Sequence, residues 1–67
     1  MELSTRNQLQ GTVKSVRTGT IMAEVVVDVG GQEVVSAITR GSVEKLQLAE
    51  GDAVTVLIKS TEVMLGK

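Results

Sequence analysis

The segment IMAEVVVDV, residues 21–29, has the clearest strand pattern of this chain. Successive side chains of an extended strand point to opposite sides, so every second residue shares a face. One face of this stretch carries only apolar residues: Ile21, Ala23, Val25, Val27 and Val29. The other face alternates acids with Val26. The stretch is therefore a strand with one face toward a core, and Val26 either meets another subunit or is a lone exposed valine.

Further strands are predicted on both sides of this stretch. The pair Gly30-Gly31 reaches the positive φ values of a tight hairpin turn, so residues 32–39 form the next strand. This strand is apolar on both faces, which predicts burial on both. Upstream, residues 9–16 alternate in the same way and end at the turn signal of residues 18–20. These three strands are therefore predicted to form an antiparallel meander.

The chain beyond residue 39 adds a helix and two strands. Val43 and Leu46 have helical spacing, and Ser42 is predicted to cap the helix that contains them. Residues 53–58 resume strand alternation, and Val63 to Leu65 form a short final strand. These elements predict an all-β fold, a five-stranded OB-like Greek-key barrel with one short helix. A single domain covers residues 1–67.

The composition predicts a homo-oligomer. The chain has 67 residues and no Cys, His, Pro or aromatic residue. A chain of this size buries only about 60% of the surface that it exposes when unfolded. Disulfides and a structural metal are the usual remedies for a small core, and the absence of Cys and His removes both. Association between copies is then the remaining way to stabilise the small core.

Composition also excludes several classes of function. Seven basic and eight acidic residues give a net charge of −1, which disfavours a nucleic-acid partner. No apolar run approaches the roughly 20 residues that cross a membrane, and no signal peptide is visible. We therefore expect a cytoplasmic protein. Without His or Cys, the common general base and nucleophile are missing, so we expect no enzyme, no cofactor and no direct protein ligands to a metal.

Hydrogen-bond donors cluster at three places near strand ends. The clusters are residues 4–8 (STRNQ), residues 39–42 (TRGS) and residues 59–61 (KST). A tetrahedral oxyanion is held by several converging donors and by cations that offset its charge. Hydroxyls and amides can donate to a fully deprotonated dianion, and they discriminate against phosphate that still carries a proton. The clusters together predict an oxyanion site.

Each cluster also has a purely structural interpretation. Residues 4–8 could be a polar N-terminal segment that frays. Ser42 could serve only as a helix cap, and Lys59 could be a solvated lysine with no partner. The turn at residues 18–20 could offer a second anion nest, although a hairpin turn alone explains it.

Three motifs in this order resemble one family. They are STRNQLQGTV at residues 4–13, AITRGSVEKLQLAEGDAV at residues 37–54 and VLIKSTEVML at residues 56–65. Together they resemble the molbindins, the small stand-alone members of the TOBE-type molybdate-binding domains. The resemblance covers essentially the whole chain.

The resemblance implies a hexamer, a trimer of dimers, that holds molybdate or tungstate at subunit interfaces. One subunit would supply Ser4, Arg6, Lys59 and Ser60 to the oxyanion, and a neighbour would complete the cage with Thr39 and Ser42. Thr5 and Asn7 would act mainly through the backbone or by orientation. Lys59 is the better candidate for direct charge, since Arg6 could instead neutralise carboxylates. Sites of a second type on symmetry axes are left unassigned.

The leading hypothesis is therefore a cytoplasmic protein that stores molybdate or tungstate and buffers the free pool. The alternative is an OB-type interaction module that binds a protein or nucleic-acid partner. The missing aromatic residues and the net charge of −1 count against it. A third alternative, the sensory module of a larger regulator or transporter, is disfavoured because the sequence starts at Met1 and ends just after the last predicted strand.

Overall fold

The computed structural model describes residues 4–67. It contains four strands, one α-helix and one 3-10 turn: β1 (Asn7–Thr18), β2 (Met22–Val29), β3 (Gln32–Thr39), α1 (Arg40–Leu46), β4 (Ala53–Ile58) and the turn at Ser60–Glu62. β3 and β4 have the predicted bounds, and β1 extends two residues further at each end than predicted. The prediction of a mostly β chain with one short helix is confirmed.

The strands form one antiparallel sheet in the order β3-β2-β1-β4. β1 is long enough to pair with β4 through its first half and with β2 through its second half. Its register shifts between Val13 and Ser15, which is a bulge that bends the strand. Gly11 lies where the two pairings meet, and a Cβ there would lie 2.6 Å from Val27 Cγ1. Close approach of β2 therefore requires glycine at this position.

The core is small and lies on one face of the sheet. Its buried members are Val13, Ala23, Val25, Val27 and Val43. Three of them are alternate residues of β2, as the pattern of residues 21–29 predicts. Ile21 precedes β2 and is exposed. Among residues 4–67, five buried residues form a small core.

The predicted fifth strand, Val63–Leu65, is not a strand in this structure. Glu62 and Val63 donate backbone hydrogen bonds to the carbonyls of Lys59 and Ser60, which makes a 3-10 turn directly after β4. The residues beyond it pair with no strand within residues 4–67. The prediction is wrong because the turn ends the extended run and no strand within residues 4–67 pairs with the segment. The described chain therefore has an open sheet of four strands.

Two local predictions also need correction. The outward face of β3 is exposed, since Val35 keeps 61% of its surface accessible, whereas burial on both faces was predicted. The helix cap is Thr39 rather than Ser42, because the Thr39 side chain accepts the Ser42 amide and α1 begins at Arg40. Within the described part of the chain, no helix has the length and apolar character needed to cross a membrane.

Candidate functional site

Two of the three donor clusters leave the sheet at the same end. Asn7 is the first residue of β1 and stands in register with Ile58, the last residue of β4. The chain before Asn7 carries Ser4, Thr5 and Arg6, and the chain after Ile58 carries Lys59 and Ser60. The antiparallel pairing of β1 with β4 therefore brings the N-terminal cluster and the Lys59 cluster together.

Two carboxamides fix the backbone at this end. Asn7 Nδ2 donates to the Ile58 carbonyl oxygen over 3.0 Å, so the side chain bridges the two segments. Gln8 Nε2 donates to the Thr5 carbonyl oxygen over 2.7 Å and holds the segment before β1 against the strand. Gln8 belongs to the N-terminal donor cluster, but no sequence pattern separates it from its neighbours as the residue that holds the Thr5 carbonyl.

Two cations, Arg6 and Lys59, lie at this end of the sheet, and Glu62 follows Lys59 in the 3-10 turn. Arg6 and Lys59 are exposed, and neither forms an ion pair within residues 4–67. The ion pairs of the described residues are Lys14–Glu33 and Arg40–Glu44. Ser4 and Ser60 add exposed hydroxyls. The end of the β1–β4 pair thus presents two cations and two hydroxyls to solvent, which suits an anion.

The remaining cluster lies at the start of α1. Thr39 Oγ1 accepts a hydrogen bond from the Ser42 amide over 3.0 Å, and it lies 2.8 Å from Ser42 Oγ. Arg40 does not join this pair, because its Nε donates to Glu44 Oε1 over 2.9 Å along the helix. Thr39 and Ser42 therefore form a linked pair of hydroxyls, and Arg40 is directed elsewhere.

The two halves of the predicted site lie at opposite ends of β1. Thr39 stands in register with Met22, beside the Thr18 end of β1, whereas Lys59 follows the strand that pairs with Asn7. β1 has 12 residues, and a strand rises about 3.3 Å per residue. Donors to one oxyanion must lie within a few ångströms of its oxygens. One copy of the chain does not bring both halves to one anion.

The other charged contact of the sheet lies away from both halves. Lys14 and Glu33 form an ion pair between β1 and β3, and its hydrogen bond raises the pKa of Lys14 above the ordinary value of a lysine. Both side chains are exposed, so the pair contributes little to stability. Residues 4–67 also contain no group of three or more acidic, His or Cys side chains that could hold a metal ion.

Comparison with known proteins gives consistent matches over nearly the whole chain. The sequence model of the TOBE domain matches residues 3–65. Molybdenum-pterin-binding protein 3 of Clostridium pasteurianum is 47% identical over 66 residues, which cover 97% of each chain. The molybdate-binding protein from Sporomusa ovata has a solved structure that superposes with a TM-score of 0.96 at 49% identity and covers 100% of each chain.

A third match is a longer protein with its ligand in place. The cytoplasmic molybdate-binding protein ModG, solved with molybdate bound, has a TM-score of 0.85 at 41% identity. The match covers 90% of this chain and 43% of ModG. All three names describe binding proteins rather than catalysts, in agreement with the prediction from composition.

Proposed function

Since the chain belongs to the TOBE domain family, with the molybdenum-pterin-binding proteins or molbindins as its relatives, we propose that it binds molybdate and stores it in the cytoplasm. Residues 1–67 act as one binding domain that buffers the free molybdate pool. The observation that carries the proposal is the pair of exposed cations, Arg6 and Lys59, at the shared end of β1 and β4. No acidic side chain among residues 4–67 pairs with either.

The chemistry of the donors suits a tetrahedral dianion. Lys59 supplies direct charge, and Arg6 supplies charge or orders the segment before β1. Ser4, Ser60, Thr39 and Ser42 contribute hydroxyls, which donate without requiring a proton on the anion. Tungstate has the same charge and shape as molybdate, so the site takes both. Phosphate carries a proton at neutral pH and loses one acceptor, which weakens its binding.

The complete site is formed by two copies of the chain. The Lys59 half and the Thr39 half lie at opposite ends of β1, so a neighbour supplies Thr39 and Ser42 to the half that carries Lys59. Thr5 and Asn7 act through the backbone and by orientation. This arrangement makes the oxyanion part of the subunit interface.

The exposed apolar residues support assembly. Val63, Met64 and Leu65 follow the 3-10 turn, and the last two keep more than 90% of their surface accessible. Both edges of the open sheet, at β3 and β4, have unpaired backbone groups within the described chain. Such edges and apolar segments are normally covered in a stable protein. We propose that the C-terminal segment of one copy packs on another, and that a closed OB-like barrel and a hexamer, a trimer of dimers, result.

Thermal unfolding tests the proposed ligand. A ligand that binds only the folded assembly stabilises it by about 2.7 kcal/mol at 100 times its Kd. We expect molybdate and tungstate to raise Tm, and phosphate at the same concentration to raise it much less. An unchanged Tm with millimolar molybdate would contradict the proposal. Salt-dependent binding of single-stranded oligonucleotides would instead support an interaction module.

Mixing two variants tests the interface. Lys59→Ala removes one half of each site, and the double variant Thr39→Ala with Ser42→Ala removes the other. Neither variant alone should bind molybdate tightly. After the two are unfolded together and refolded, interfaces that combine an intact Lys59 half with an intact Thr39 half should recover tight binding. No recovery in mixed oligomers of normal mass would show that one copy holds the whole site.

A further inference from the structure

We infer that Asn7 and Gln8 are positioning residues. Their carboxamides fix the backbone next to Lys59 and Arg6, the two cations of the site. This inference rests on the proposed molybdate function. Asn7 Nδ2 donates to the Ile58 carbonyl, directly before Lys59. Gln8 Nε2 donates to the Thr5 carbonyl, directly before Arg6. Each carboxamide therefore holds the peptide group that precedes one cation.

The direction of each bond is fixed by chemistry. A backbone carbonyl only accepts hydrogen bonds, so the carboxamide must present its NH2 group. Carbonyl oxygens carry partial negative charge and would repel a dianion. An acceptor that is already bound to a carboxamide is directed to that donor. These two side-chain hydrogen bonds, which we call the Asn7 and Gln8 clamps, thus keep the Ile58 and Thr5 carbonyls occupied in the absence of ligand.

The same clamps orient the following amides. All peptide bonds of the described chain are trans, and in a planar trans peptide the C=O and the next N–H point in opposite directions. Fixing the Ile58 carbonyl therefore fixes the Lys59 N–H, and fixing the Thr5 carbonyl fixes the Arg6 N–H. Neither amide donates to the backbone of residues 4–67. Both remain available as donors in a fixed orientation.

Preorganisation predicts how the clamps affect affinity. The 3-10 turn also holds the carbonyls of Lys59 and Ser60. Without the two clamps, the segments before β1 and after β4 would still be less completely ordered before the anion binds, and the entropic cost of ordering them would appear as weaker binding. Asn7→Leu and Gln8→Met keep the size of each side chain and remove its donor. We expect each to raise the Kd for molybdate by about tenfold, and both together by more.

A matched control separates the clamps from general effects on β1. Gln10 lies on the same strand, is exposed, and forms no side-chain hydrogen bond with residues 4–67. Gln10→Met should leave the Kd unchanged. Gln8 is exposed as well, so Gln8→Met should fold normally. This variant tests the inference even if Asn7→Leu is unstable.

The experiment combines calorimetric titration of molybdate with amide ¹⁵N relaxation of the ligand-free protein. We expect the clamp variants to keep the assembled mass, to bind more weakly and to show faster motion of the amides at residues 4–6 and 59–60. A merely structural role would not confine the added motion to these amides. A wild-type protein that does not bind molybdate would contradict the proposed function. If the wild-type protein binds molybdate and both clamp variants bind it with the wild-type affinity, the positioning role alone is overturned.

Discussion

The Thr39 hydroxyl oxygen lies 2.8 Å from the Ser42 hydroxyl oxygen and accepts the Ser42 amide over 3.0 Å. One hydroxyl proton is used in the bond between the two side chains. The other proton is left to donate to a further acceptor. The pair therefore caps α1 and leaves one O–H free to donate to the anion in the proposed site.

Thr39→Ala should affect both stability and binding. Loss of a side-chain cap costs about 1 kcal/mol, and loss of the Thr39 hydroxyl leaves the Ser42 hydroxyl without the partner that orients it in the proposed site. Urea unfolding at fixed protein concentration and calorimetric titration measure the two effects. Thr39→Ser keeps the hydroxyl and should leave both nearly unchanged. A Thr39→Ala protein that loses stability but binds molybdate normally would show that the residue only caps the helix.

Lys59→Ala should weaken molybdate binding without changing the assembled mass. A hydrogen bond to a charged group contributes about 1.5–3 kcal/mol, which corresponds to roughly a tenfold to hundredfold increase in Kd. Lys45→Ala is the matched control, because Lys45 is an exposed lysine in the last turn of α1. Equal affinity of the Lys59 and Lys45 variants would mean that Lys59 is only a solvated lysine.

The double variant Met64→Ser with Leu65→Ser should reduce assembly. Both side chains are almost fully exposed in the single chain, so their replacement costs the monomer little and removes apolar contacts with another copy. Sedimentation at several protein concentrations measures the change. Lys67→Ser alters the same segment without removing an apolar side chain. If the double variant and this control have the same mass distribution, the segment takes no part in the interface.

Gly11→Ala should destabilise the sheet. The new Cβ would lie 2.6 Å from Val27 Cγ1 and 2.8 Å from the Asp28 carbonyl oxygen, and the latter contact is with rigid backbone. Overpacking of this kind costs about 1–3 kcal/mol. A Cβ added at Gly66 would have no atom within 4 Å, so Gly66→Ala should have no effect. Equal unfolding midpoints for the two variants would show that β1 and β2 can separate without cost.

The strands of the sheet follow from local patterns, and the final segment does not. Alternation of Ala23, Val25 and Val27 predicts the buried face of β2, and all three are buried. Val63 to Leu65 have the composition of a strand, but a strand exists only where another strand pairs with it. The 3-10 turn at Ser60–Glu62 leaves the segment without such a partner. Pairing between distant segments is not encoded in local alternation.

The candidate site was predictable as residue types but not as an arrangement. The clusters around Arg6 and Lys59 are visible in the sequence because several donors stand side by side. Their common location depends on the register of Asn7 with Ile58, which only the fold provides. The cap was assigned to Ser42 instead of Thr39, because Thr39 also fits the pattern of β3. The clamp formed by Gln8 depends on a hydrogen bond that no spacing rule indicates.

Calorimetric titration of molybdate into the wild-type protein, with its mass in solution determined on the same sample, tests directly whether an assembled protein binds the anion. Sulfate and phosphate serve as controls. We expect tight binding of molybdate and weaker binding of phosphate to an oligomer, with a stoichiometry that matches sites shared between copies. A folded, ligand-free oligomer that gives no heat with molybdate, or a monomer that binds it with full affinity, would contradict the account.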